Sequence, residues 1–273
     1  MNLEDHLGDI VRKARAMSGV TAGAAAKTTG LSEADFLAME ESGIVRGKSD
    51  WAALARALDL HPEKLEGMAR GWQPAEPDLG RWRHLRQITT TEGGNPVHCY
   101  LAWDEASRDA ALFDTGWDAG PVVKVIEEHR LKLCHLFITH THPDHVAGLG
   151  DLRRRYPEIA LHTDARSAPA AHRNRRDATV QLGRLGITHR ATPGHAEDGV
   201  TYVITGWPDG APEVAVVGDA IFAGSMGRGN QSWELARAKV RQEILSLPPD
   251  TLLCPGHGPV TTVAEETAHN PFF

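Results

Sequence analysis

The stretch Thr139-His140-Thr141-His142-Pro143-Asp144-His145 places three imidazoles and a carboxylate between positions 140 and 145. Its flanks say where in a fold it stands. Leu136-Phe137-Ile138 before it is an apolar run that reads as a buried strand, and Val146-Ala147-Gly148-Leu149 after it opens a helical pattern. The histidines therefore mark a strand end. One loop rarely completes a coordination shell, so further ligands are expected elsewhere. Three candidates stand at strand ends or in glycine-rich turns: His195 in Thr192-Pro193-Gly194-His195, Asp219 in Val217-Gly218-Asp219, and His257 in Cys254-Pro255-Gly256-His257-Gly258. Together with His140, His142, Asp144 and His145 they make seven nitrogen or oxygen ligands. Glycine beside a ligand lets the backbone turn sharply, and imidazole with carboxylate but no thiolate suits zinc, iron or manganese. Cys254, three positions before His257, is assigned to the core. The competing reading, ordinary surface or core histidines, fits ten of the fifteen, including His84, His98, His135 and His162.

Composition bounds the rest. The chain has 273 residues, 41% of them hydrophobic, enough for a substantial core in one large or two smaller domains. There is no apolar run long enough to span a bilayer, and Met1-Asn2-Leu3-Glu4-Asp5 lacks the basic start of a signal peptide, so a soluble cytoplasmic protein with no membrane partner is expected. Cys99, Cys134 and Cys254 sit in apolar segments without paired spacing, which predicts buried free thiols. The net charge of −7 argues against a whole-chain polyanion binder and leaves room for a local basic patch.

Two textures divide the chain. Residues 1–70 carry helical periodicity, with Leu7, Ile10, Val11 and Ala14 on one face, Ser32 and Asp35 as a variant capping box, and Trp51, Leu54 and Leu58 on a further face. Residues 71–81, with Pro74 and Pro77, read as a linker. From residue 82 to 273, apolar runs at 97–103, 110–113, 133–138, 200–205, 214–217 and 251–254 alternate with helical segments, as in an α/β domain.

In this order, Thr-His-Thr-His-Pro-Asp-His, Thr-Pro-Gly-His, Gly-Asp and Pro-Gly-His-Gly resemble the metal-binding motifs of the metallo-β-lactamase superfamily. Asp219, the segment Gly224-Ser225-Met226-Gly227-Arg228 and the ending Thr261-Thr262 through Asn270-Pro271-Phe272 are most similar to its hydroxyacylglutathione hydrolase (glyoxalase II) branch. The resemblance implies an αββα sandwich and two divalent ions, most simply zinc, with iron or manganese as alternatives. It implies His140, His142 and His195 on one ion, Asp144, His145 and His257 on the other, and Asp219 bridging, with Asp144 and Asp219 serving catalysis. It further implies hydrolysis by a metal-activated hydroxide, since two cations about 3.5–4 Å apart acidify a shared water. A thioester is the favoured substrate, because a thiol with a pKa near 8.5 leaves as thiolate. Arg228 is the candidate for binding an anionic small-molecule substrate, its alternative being a loop arginine in solvent. Asp114, in Phe113-Asp114-Thr115-Gly116, matches a family turn behind the ligands; capping a strand-end turn is its alternative.

Three features depart from the branch. His195 is followed by Ala196-Glu197-Asp198-Gly199, Gly229-Asn230-Gln231 follows Arg228, and the chain ends before any C-terminal helical domain of the kind that supplies glutathione contacts, which puts glutathione specificity in doubt. Relatives that share much of the ligand pattern include iron-dependent persulfide dioxygenases, which use one metal. Arginines 153, 154, 155, 173, 175 and 176 read as a helix end and a solvated loop more than as part of the site.

The first seventy residues resemble the helix-turn-helix domain of Cro/repressor-like regulators, through Arg12 to Arg15, Gly19-Val20-Thr21, Ala25 to Gly30 and Leu54 to Leu65. Such a domain would read DNA with the helix at Ser32 to Glu41, which holds four acids and no base. Residues 1–70 contain nine Lys and Arg against eleven Asp and Glu, and only Arg12, Lys13, Arg15, Lys27, Arg46 and Lys48 could form a basic stripe. The expectation is association into a homodimer instead of DNA binding, with deletion of residues 1–75 leaving the metal site intact. A regulator that uses the metallo-domain as a sensor is the alternative.

Overall fold

The computed structural model describes residues 2–45, 49–175 and 177–273, so Arg46, Lys48 and Arg176 lie outside the described residues. The amphipathic N-terminal segments form five short helices: α1 (Leu7–Ser18), α2 (Ala22–Thr29), α3 (Glu33–Ser42), α4 (Trp51–Ala57) and α5 (Pro62–Ala69). Side-chain caps start most of them. His6 and Asp9 form a reciprocal capping box on α1, while Thr21, Ser32 and Asp50 each accept an amide hydrogen bond at the start of α2, α3 and α4. Ser32 Oγ accepts from the Asp35 amide (3.1 Å) and donates to its carboxylate (2.6 Å), a variant of the capping box whose fully reciprocal form stands on α1. Gly30, in the left-handed conformation, ends α2 and opens the three-residue turn into α3.

Eleven strands follow among the described residues. They are β1 (Leu85–Glu92), β2 (Asn95–Trp103), β3 (Asp109–Phe113), β4 (Lys132–Phe137), β5 (Ala160–His162), β6 (Val180–Leu182), β7 (Leu185–Ala191), β8 (Val200–Thr205), β9 (Val214–Gly218), β10 (Leu252–Pro255) and β11 (Thr261–Thr262). One sheet has the order β1-β2-β3-β4-β5, the other β11-β10-β9-β8-β7-β6. Their inner faces meet through Tyr100, Phe113 and Phe137 on one side and Tyr202, Val214, Val216 and Leu252 on the other. Helices α6 (Gly120–Glu128), α7 (Pro143–Val146) and α8 (Leu149–Arg155) follow strands of the first sheet, and α6 and α8 cover its outer face through Val122, Ile126 and Leu152. A π-helical turn, Val240–Ile244, which continues α9 (Trp233–Lys239), and the start of α10 (Val263–His269) cover the outer face of the second. This is a four-layer αββα arrangement. The helical pattern opening at Val146 is split, because the Gly148 amide donates to the Gly116 carbonyl (3.2 Å) and the Thr115 hydroxyl (3.0 Å).

One expectation needs correction. Cys99 and Cys254 are buried, and burial pushes both thiols well up, but Cys134 is half-exposed, its Sγ 3.3 Å from the Asp109 carboxylate. The helical region shares its apolar core with the sandwich. Its core of Ile10, Phe36, Leu54 and Leu65 continues into Met226, Ala236 and Phe272, so the apolar cluster crosses residues 71–81. Backbone and side-chain bonds add to the junction: His61 N–H donates to the Pro271 carbonyl (2.8 Å), Lys64 Nζ to the Thr267 carbonyl (2.7 Å), and Arg237 pairs with Asp59. Removing residues 1–75 would bare that apolar surface to water, at a cost of about 25 cal/mol per Å².

Phe272 tests the junction, being 1% exposed and set edge-on to Trp233 at 5.5 Å. Phe272→Ala is expected to lower the unfolding free energy by about 3–5 kcal/mol in a denaturant titration. A loss below about 1 kcal/mol would mean that the two regions do not share a working core.

Candidate metal centre

The ligand candidates arrive from four strand ends. β4 stops at Phe137, and the chain from Thr139 to His145 crosses into α7; β7 leads to His195, β9 to Asp219 and β10 to His257. Parallel pairing of β9 with β10 puts two of these C-terminal ends side by side, and parallel pairing of β3 with β4 brings Asp114 beside the Thr139 to His145 segment, as open α/β sheets do where they bind ligands. Gly256 has no room for a Cβ, which would meet a carboxylate oxygen of Asp219 and the His145 ring. Only glycine lets the β10 loop come this close.

Two groups of ligand atoms form, each with all members within 4.8 Å of one another: His140, His142, His195 and Asp219 in one, Asp144, His145 and His257 in the other. Asp219 spans both. Its Oδ1 lies 3.3 Å from His145 Nε2, and its Oδ2 lies 3.5 Å from His195 Nε2, 3.5 Å from His257 Nε2 and 3.9 Å from His140 Nε2. Asp144 Oδ2 is 3.3 Å from His257 Nε2 and 3.8 Å from His145 Nε2.

The side of each ring that faces away fixes its tautomer. His145 Nδ1 donates to the Asp114 carboxylate (2.8 Å), His195 Nδ1 to the Arg228 carbonyl (3.0 Å) and His257 Nδ1 to the Pro96 carbonyl (2.7 Å). Thr139 Oγ1 donates to Asp114 (2.7 Å) and so accepts from His140 Nδ1 (3.1 Å). Each donation leaves an Nε2 lone pair pointing inward, the arrangement by which outer partners prepare imidazoles for a cation. His142 instead turns Nδ1 inward, 3.0 Å from His140 Nε2 and 3.1 Å from His195 Nε2. Tetrahedral ligands about 2.0–2.1 Å from an ion sit about 3.3 Å apart, close to these separations. His145 Nε2 and Asp219 Oδ1 are buried without a hydrogen-bond partner, a costly state that a cation relieves. The residues fit a metal.

Electrostatics agrees. Burial lowers the His145 imidazole, but the Asp219 and Asp114 carboxylates outweigh it and hold the group up at about 10. Burial likewise opposes His257, which hydrogen bonds to Asp144 and Asp219 raise to about 11. Burial also works against charge on Asp219, yet His145 and its other imidazole neighbours keep that carboxylate well below its usual range. The pocket is thus negative enough to hold extra positive charge, as protons or as divalent ions. His140 has its imidazole pushed well down, first by burial and then by the neighbouring His145.

The remaining sequence candidates divide. Asp114, 1% exposed and at φ +60°, touches Thr139 twice and His145 once, so it stands behind the ligands and closes the β3 turn at the same time. The Arg228 side chain is exposed, and what reaches the centre from that residue is its carbonyl. Arg154 pairs with Asp151, Arg155 with Glu127, and Arg173 with the carbonyls of Arg166 (2.9 Å) and Ala168 (3.0 Å), so these arginines brace a helix end and a loop. His98 is a satisfied core histidine between Thr89 Oγ1 (2.9 Å) and the Gly258 carbonyl (3.0 Å), and burial takes its imidazole down to about 4. Residues that sequence reading passed over include Arg166, which bridges to Glu197 at 2.5 Å over a cleft of about 610 Å³ lined also by Thr141, His142, His195 and Gln231. The only signal for it was the unusual Ala196-Glu197-Asp198 continuation after His195.

Residues 93–257 match the sequence model of the metallo-beta-lactamase superfamily. The chain is 32% identical over 188 residues to human persulfide dioxygenase ETHE1, covering 64% of this chain and 72% of that protein. It is 27% identical to the hydroxyacylglutathione hydrolase GloC of Haemophilus influenzae, over 64% of this chain and 92% of that one. The crystal structure of ETHE1 from Myxococcus xanthus superimposes with a TM-score of 0.59 at 31% identity, covering 68% of this chain and 83% of that chain. With the two facing sheets, the strand-end ligands and a family match over most of its length, this chain belongs to the metallo-beta-lactamase superfamily.

Proposed function

We propose that the protein is a two-metal hydrolase whose substrate is a thioester. The observation that carries this is the second ligand group: Asp144 and His257 converge with His145, and both groups share Asp219. A single ion would leave Asp144 and His257 without a task. On this reading His140, His142 and His195 hold one ion, Asp144, His145 and His257 the other, and Asp219 both. Bound divalent ions, zinc in the first instance, would supply Lewis acidity that brings the pKa of water near 7 and polarises a carbonyl. The chain's own part is positional. Asp114 and the carbonyls of Pro96 and Arg228 hold the rings in their inward tautomers, and the cleft beside His142 and His195 receives the acyl-thiol. Exposed Arg228 and Arg166 offer guanidinium groups to a substrate carboxylate. A thiolate leaves without a proton donor, which suits a site built of ligands.

Likeness to human persulfide dioxygenase ETHE1, at 32% identity, supports a second reading, oxygenation of a persulfide. For the helical region we propose a helix-turn-helix ancestry without DNA affinity. The outward face of α3 presents Glu33, Asp35 and Glu41, and the exposed Leu37 and Ile44 suit self-association into a dimer. Of the candidate cations, Lys13 is buried against Asp5 and Arg15 is engaged by Glu40 at 2.7 Å.

Metal analysis of protein expressed without metal bias should give two ions per chain, falling to one in Asp144→Ala; one ion in both proteins would sink the two-metal reading. With a thioester substrate, Asp219→Ala should lower kcat by more than about 100-fold, whereas Arg228→Ala should raise KM and leave kcat within about threefold. Equal losses of kcat would remove the distinction between the roles. Thiol release from an acyl-thioester without oxygen uptake is the expected activity, and stoichiometric oxygen consumption with a persulfide would instead establish the second reading. Fluorescence anisotropy with a labelled duplex should show no binding tighter than about 1 µM at physiological salt. Salt-dependent binding below that would restore a regulator.

A further inference from the structure

We propose that Lys13, on α1, is a positioning residue of the metal centre: it fixes the turn at 222–228, and through that turn the ring of His195. Lys13 Nζ donates to the Met226 carbonyl (2.5 Å), lies 3.4 Å from Ser225 Oγ and sits 5.5 Å over the Phe222 ring. Its side chain is 6% exposed, and its counter-charge is Asp5, which also accepts from Ser225 Oγ at 2.5 Å. Ser225 and Met226 are fully buried. From the opposite side Asn270 Nδ2 donates to the Ser225 carbonyl (2.7 Å), and Glu266 accepts from the Gly224 amide (3.0 Å). The turn is therefore gripped by the N-terminal segment on one side and by the C-terminal helix on the other.

Two residues beyond Met226, the turn meets the centre. The Arg228 carbonyl accepts from His195 Nδ1, and Gly227 packs so tightly that a Cβ would strike the Asp219 backbone and come within 2.8 Å of His195 Nδ1. A displaced turn cannot leave His195 where it is. The same N-terminal segment leans on the neighbouring ligand loop, since a Cβ on Gly258 would lie 2.9 Å from the Glu4 amide nitrogen. A buried lysine is a poor choice for mere adhesion, because desolvating an ammonium is costly unless geometry repays it, and an apolar side chain would fill the space. What lysine adds is a charged donor for a buried carbonyl that has to sit at one place. The first helix thus belongs to the metal centre instead of being an appended module.

The inference rests on the two-ion reading. Its test is a cobalt(II) titration of the full chain, followed by visible d–d absorption and by competition with a chelator. His195→Ala identifies which of two binding steps depends on that ring. Lys13→Met is expected to weaken this step about 10–100-fold and leave the other within about threefold, while Lys13→Arg, which still donates, recovers most of the loss. Lys13→Met leaves Asp5 unpaired and can fail through folding alone, so the double variant Asp5→Asn, Lys13→Met is measured beside it and should show the same selective weakening. A folded double variant with both affinities unchanged, or with both weakened equally, overturns the inference while the two-ion reading stands. A wild-type chain that takes up no cobalt overturns both.

Discussion

A carboxylate with almost no access to water, ringed by imidazoles, is the constraint from which the rest of the site follows. Asp219 is 8% exposed and faces His140, His145, His195 and His257 at 3.3–3.9 Å. Neither a neutral nor a fully protonated version of that arrangement is comfortable, because each inward nitrogen needs something to face. The fold therefore fixes every ring from behind, using main-chain carbonyls for His195 and His257 and Asp114 for His145. Those anchors come from β2, the turn after β3 and the segment after β9, so both sheets contribute and ligand geometry and sandwich geometry are set together.

The α/β class was legible in the mainly apolar runs that became β2, β3, β4, β8, β9 and β10, whereas the αββα layering was implied by the family resemblance. β1, β5, β6, β7 and β11 were not. β1 alternates exposed polar residues with Ile88 and Thr90, β5, β6 and β11 have two or three residues, and β7 carries Gly186, His189 and Arg190. Pairing with neighbours makes these strands, and pairing leaves little mark on local sequence. The ligands were legible for the opposite reason. A histidine beside a glycine at the end of an apolar run is a local pattern, whereas the partners behind the rings, Pro96 and Arg228, act through backbone atoms that any residue possesses.

The helical region has side-chain caps and a three-residue turn between α2 and α3, and its positive charge is either engaged inside the protein or outnumbered by carboxylates. Lys13 illustrates the limit of composition as a guide: counted as a candidate for a basic surface stripe, it is 7% exposed and engaged with residues more than two hundred positions away.

That separation has a consequence for how the chain comes to be folded. The core of the first helices is closed by Phe272, more than two hundred positions along the chain, and His61 bonds to Pro271. During synthesis the helical region emerges before the sandwich and has to wait, its apolar face incomplete, until Phe272 has followed the sandwich out of the ribosome. Contacts of such sequence separation slow folding, and they make the nascent helices a natural client for chaperones until the segment around Phe272 arrives.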